Sequence, residues 1–174
     1  MKKNNTCYTI VFHLDTNRIN SNGKLPYINK LEKYATLDII ELEWSLPIYD
    51  YELTAQRHFD KASGRLVAHP AIRTPEEEKR LRQIEQILFP GGPRNRNERI
   101  DALALFTAKK YHAIFITDDG SGGKLRGILT HRQELGEIGV DVMTDAEALA
   151  LIEEKLVRNI NFLLPCSLLL ANQL

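Results

Sequence analysis

Cysteine is scarce in this chain: Cys7 and Cys166 are the only two, placed at opposite ends of 174 residues. That excludes a disulfide framework and a C-x-x-C metal or redox pair, and it fits a reducing, cytoplasmic setting. An excess of either charge is also missing. Lys plus Arg and Asp plus Glu both number 23, so no whole-molecule field draws in nucleic acid or a membrane surface, and a polyanion would have to be held locally. No apolar run is long. The most apolar stretch, INFLLPCSLLL at residues 160–170, falls short of the roughly 20 residues a membrane-spanning helix needs. It also carries Pro165, and its expected use is core packing or a protein interface. The basic start MKKNNTCYTIVFHLD has a short apolar segment that ends on His13 and Asp15 without a small-residue cleavage site, so no signal peptide is expected. Internal repeats and low-complexity segments are absent.

What is present, 43% hydrophobic residues, is enough for one domain with a sizeable core over residues 1–174. YTIVFHL at 8–14 is almost unbroken in apolarity and suits a strand buried on both faces of a parallel sheet. GKLPYINKLEKYATL follows with Leu25, Ile28, Leu31 and Tyr34 or Ala35 at helical spacing, and DIIELEW at 38–44 reads as a second strand. In SLPIYDYELTAQRHF, Ser45 caps a helix, Pro47 sits in its first turn, and Ile48, Tyr51, Ala55 and His58 or Phe59 run along it. KASGRLVAHPAIRT breaks the pattern. TPEEEKRLRQIEQILF restarts it with Thr74 as cap, Pro75 at the first position and glutamates at the favourable end of the dipole. After a loop PGGPRNRN at 90–97, ERIDALALFTAKKYH carries Ile100, Leu103, Ala104, Thr107 and Tyr111 on one face. AIFIT at 113–117 and GVDVMT at 139–144 are the third and fourth strands, and DAEALALIEEKL is a further helix. This alternation predicts an α/β fold, a three-layer α/β/α sandwich around a mainly parallel sheet. The core spans about 8–150, with an apolar C-terminal extension at 158–174.

In such a sheet the carboxyl ends of the strands share one edge, and the helices running back begin there. Four acids then converge: Asp15 after the first strand, Glu52 in the opening turns of the second helix, Asp101 in the first turn of ERIDALALF, and Asp119 after AIFIT. Asp101 is offset by one residue from the stripe through Ile100, Leu103, Ala104 and Thr107, which aims it at the boundary of core and solvent. Two carboxylates ~4 Å apart repel by roughly 4 kcal/mol at an effective dielectric of about 20. A hard divalent cation, Mg²⁺ or Mn²⁺, is the natural partner for such oxygens, and one or two such ions bring phosphodiester hydrolysis within reach. Taken singly, each acid reads more readily as a helix cap or a dipole partner than as a ligand, and it is their shared edge that points to a metal. His13, two residues before Asp15, is expected to be a hydrogen-bonded core histidine.

VFHLDTNRI, SLPIYDYEL, RIDALALFTAKKYHAIFITDD and GVDVMTDAEAL occur in the order seen in PIN-domain proteins, and the chain resembles a PIN-domain ribonuclease, toxin-like in size. The family's opening Asp-Thr-Asn matches Asp15, Thr16 and Asn17, and its Glu-Leu matches Glu52 and Leu53. Its Asp-Ala-Leu helix and Thr-x-Asp strand end match Asp101, Ala102, Leu103, Ala108, Thr117 and Asp119. The resemblance implies that Asp15, Glu52, Asp101 and Asp119 bind Mg²⁺ or Mn²⁺ and carry endoribonuclease catalysis, with Thr16, Asn17 and Thr117 orienting ligands or water. Asp50 competes with Glu52, and Asp118 competes with Asp119 as a metal ligand. GSGGKLRGILTHRQEL at 120–135 replaces the compact Asp-Phe turn of many relatives.

Arg94, Arg96 and Arg99 before Asp101, and Lys124 and Arg126 after Asp119, flank this site and are expected to hold an RNA backbone. GSGGK is not a P-loop, because Leu125 stands where Ser or Thr is needed. The resemblance further implies a small antitoxin protein as partner, and the apolar tail would serve that contact or a homodimer. The alternative is a catalytically inactive PIN-like scaffold or RNA-binding protein. A phosphohydrolase with Asp15 as nucleophile would want a second Asp at position 17, where Asn17 stands.

Overall fold

A computed structural model of the chain describes residues 9–15, 18, 25–44, 58–59, 66–67, 74–121 and 127–171. Strand β1 (Ile10–Leu14) leads to helix α1 (Pro26–Thr36) and strand β2 (Ile40–Trp44). Asp38 takes a left-handed φ of 55°, a conformation Asp tolerates better than most residues. The turn therefore uses Asp38 and Ile39, and β2 starts later than the expected 38. Two short strands follow, β3 (His58–Phe59) and β4 (Leu66–Val67), paired antiparallel with His58 opposite Val67 and Phe59 opposite Leu66. This corrects the reading of His58 and Phe59 as the end of a helix, because strand pairing satisfies their backbone across the chain. The rest of that expected helix, at 45–57, lies outside the described residues.

Helix α2 (Pro75–Leu88) begins where the residues say it should. Thr74 Oγ1 accepts from the Glu77 N–H at 3.2 Å, and the Glu77 carboxylate accepts from the Thr74 N–H at 2.9 Å, a reciprocal capping box followed by Pro75. Helix α3 (Arg96–Lys110) starts inside the expected loop, because the Asn95 side chain accepts from the Glu98 N–H at 3.0 Å and caps it. Strand β5 (Ile114–Ile116), a 3₁₀ turn at Ile128–His131, helix α4 (Arg132–Glu137), strand β6 (Val142–Met143) and helix α5 (Asp145–Ala171) complete the order. The apolar extension continues α5 through Ala171. Among the described residues no helix is long and apolar enough to cross a membrane.

The central sheet has four strands in the order β2-β1-β5-β6, all parallel. Alternation along the strands divides the core into two layers. Phe12, Leu14, Ile40, Leu42 and Ile116 face α1 and α5, whereas Val11, Phe115 and Val142 face the layer of α2, α3 and α4. The α/β/α sandwich is thus what the residues build. On α3 the buried stripe is Ala102, Ala104, Leu105, Phe106 and Ala108, not Ile100, Leu103 and Thr107. The helix is rotated so that its alanines, with little side chain to hold it off, lie against the sheet. Tight packing at such positions outweighs the larger apolar residues on the flank.

Candidate active site

The strand order reverses beside β1, whose neighbours are β2 on one side and β5 on the other. In open parallel sheets the two connections leave such a point in opposite directions and open a crevice at the carboxyl ends. Asp15 follows β1 there, and its N–H donates to the Ile116 carbonyl at 2.9 Å, extending the ladder by one rung. Asp15 is 9% exposed, and its carboxylate accepts a 2.7 Å hydrogen bond from the hydroxyl of fully buried Thr117. The same hydroxyl accepts from the Asp119 N–H at 3.1 Å. One side chain therefore ties the acid after β1 to the acid after β5.

Asp119 is held from its other side. Its Oδ2 accepts from the Ile128 N–H at 3.0 Å, and its carbonyl accepts from the Leu129 N–H at 2.9 Å. Two glycines make this possible: a Cβ on Gly127 would lie 2.4 Å from the Gly120 nitrogen, and their φ angles of +154° and +90° are left-handed. Only glycine fits where the two backbones meet this closely.

Asp101 comes from the second turn of α3, one turn further in than expected. Burial raises its pKa first, and the negative charges of Asp15, Asp119 and Glu98 add to it, bringing it to about 6 from an ordinary 3.8. Asp15 and Asp119 are thus near enough to Asp101 to oppose its ionisation. Among the described residues, however, no three His, Cys, Asp or Glu side chains are grouped to hold a metal ion directly. The two observations agree if waters fill the gap. The donor set is all oxygen, which suits a hard cation, and Mg²⁺ keeps several waters while using one or two carboxylates.

Asp118 is placed elsewhere. Its carboxylate accepts from Arg18 Nη1 at 2.7 Å, and Arg18 Nη2 donates to Asp145 at the start of α5. Arg18 is itself 9% exposed, and Asp118 is not among the charges raising Asp101. The structure therefore brings Asp119, and not Asp118, to Asp101. His13 is buried, with Nε2 3.2 Å from a Glu43 oxygen, but neither ring nitrogen makes a directed hydrogen bond among the described residues. Glu52, Asp50, Thr16, Asn17, Lys124 and Arg126 lie outside the described residues.

Asp101 and Asp119, but not Asp15, line a cleft of about 710 Å³ walled by the end of α2, the loop after it, the start of α3, Gly127, Ile128 and His131. Arg94 lines its rim and pairs with Glu98 at 3.5 Å. Arg96 and Arg99 are exposed on the first turn of α3 and do not line it. The Arg18 clamp and the apolar wall from Leu88 and Phe89 were not evident in the sequence. The signal available for the wall was the apolar end of α2 running straight into Pro90-Gly91-Gly92. No protein-family model, no curated protein and no solved structure matches the chain.

Proposed function

We propose that the protein is a metal-dependent endoribonuclease that hydrolyses RNA phosphodiester bonds at Asp15, Asp101 and Asp119, with Glu52 as the fourth acid. The observation that carries this reading is that Asp101 and Asp119 line one cleft while Thr117 ties Asp15 to Asp119 at the switch point. Bound Mg²⁺ or Mn²⁺ would supply positive charge to the phosphate and lower the pKa of an attacking water. Thr117 holds the Asp15 carboxylate, and the Ile128 N–H holds one Asp119 oxygen, so that both side chains are pre-oriented. Water adds to phosphorus, the bond from phosphorus to the leaving ribose oxygen breaks, and a proton from the water ends on that oxygen. Asp118 is kept out of this set by Arg18.

The spacing of the acids favours a second reading, a catalytically silent RNA-binding or scaffold protein, because no described trio chelates an ion directly. Calorimetric titration with Mn²⁺ separates the two, since a scaffold has no need of the ion. The small antitoxin and the homodimer belong to the first reading, as does a cytoplasmic location. An antitoxin peptide covering the cleft would protect Asp101 and Asp119, which inhibition of cleavage by the co-expressed partner would reveal.

A further inference from the structure

The cleft beside the carboxylates is larger and more apolar than an ion needs. A fully hydrated divalent cation, at ~30 Å³ per water for six waters, fills only about a quarter of 710 Å³. The remaining space is bounded by Leu88, Phe89, Gly91 and Ile128, with Arg94 and His131 also lining it. Its volume is in the range that takes a small organic ligand. Gly91 contributes no wall of its own, because a Cβ there would meet nothing within 4 Å. The lining thus combines apolar residues with acids and two basic side chains.

We infer that this cleft binds one unpaired nucleobase of the RNA, seated against Phe89 beside the phosphate that faces Asp101 and Asp119. The inference rests on the nuclease reading for the identity of the polymer. A neutral, flat ring enters a cleft lined by Asp101, Asp119 and Glu98 without charge repulsion, which a phosphate without a cation cannot do. Aromatic side chains stack on bases of any identity, and polar groups at the edge, here Arg94 and His131, read the rim of the ring.

The test uses neutral nucleosides in EDTA, followed by amide shifts in NMR spectra of the full chain. Saturable shifts at the cleft are expected for wild type, with about tenfold weaker binding for Phe89→Ala and weakened binding for Gly91→Leu, which adds a bulky side chain at a residue lining the cleft. Gly91→Leu should melt at the wild-type temperature. Cleavage of a single-stranded oligonucleotide with Mn²⁺ should show a KM raised about tenfold in Phe89→Ala. Nucleoside binding that is absent from wild type, or unchanged in both variants, overturns the nucleobase site, as does saturable binding of a basic hexapeptide in place of nucleosides. The two readings fail separately. Nucleoside binding without any cleavage sinks the nuclease and keeps the pocket, whereas Mn²⁺-dependent cleavage unchanged in both variants does the reverse.

Discussion

Asp101 holds its proton up to about pH 6 because it is half-buried and faces Asp15, Asp119 and Glu98. A carboxylate whose folded pKa is raised favours the folded state below the unfolded value of 3.8, and that contribution is lost as pH rises through about 6. At neutral pH its ionised form therefore opposes folding of the metal-free chain. Asp101→Asn should stabilise that chain by about 1–2 kcal/mol, roughly half of what the shift implies, because solvent screens a group this exposed. The same substitution should abolish Mn²⁺-dependent cleavage. A thermal melt in EDTA beside a cleavage assay checks both signs. Arg18 acts in the opposite direction. It is buried between Asp118 and Asp145, and removing it strands the nearly buried Asp145 carboxylate. Arg18→Met should cost about 2–3 kcal/mol in denaturant unfolding.

At the scale of elements, the site depends on where strands and helices stop. Thr74→Ala removes the hydroxyl that caps α2 and should cost about 1 kcal/mol while leaving cleavage unchanged, since Thr74 does not line the cleft. The start of α5 carries a second cap. Glu147 accepts from both guanidinium nitrogens of Arg132, at 2.9 and 2.8 Å, and from the N–H and hydroxyl of Thr144. The Arg132 bonds, reinforced by those from Thr144, lower its pKa to about 2 from 4.5. Its contribution is complete above pH 4.5 and is lost as pH falls toward 2. Wild type should lose about 1 kcal/mol more than Glu147→Gln between those limits, a figure reduced for solvent exposure. Caps of this kind were legible in the sequence, because Thr74, Pro75 and Glu77 are close neighbours and their chemistry is local. The strands were legible for a similar reason, since Ile10 to Leu14 and Ile114 to Ile116 are apolar on both faces. The stripe on α3 was not, because Ala102, Ala104 and Ala108 carry little hydrophobic weight yet mark the closest approach to the sheet. Arg18 and Asp145 stand 127 positions apart, and only the folded topology joins them.

For the whole molecule, equal numbers of acids and bases mean that no long-range field gathers RNA. Under the nuclease proposal attraction would arise at the cleft, where Glu98, Asp101 and Asp119 outnumber Arg94 and a divalent ion would offset the excess negative charge. The shared edge of Asp15, Asp101 and Asp119 followed from the order of strands and helices, which the alternation of apolar runs carries. The distances between those acids did not, because they depend on Thr117 and on the Gly120–Gly127 contact. Cleavage of labelled single-stranded and structured RNAs in Mn²⁺, Mg²⁺ or EDTA, with wild type compared to Asp15→Asn and Asp101→Asn, tests the nuclease proposal. Wild type should cut with either metal and not in EDTA, and both folded variants should lose at least about a hundredfold in rate. Wild type that neither cuts any RNA nor binds Mn²⁺ by calorimetry would contradict the proposal.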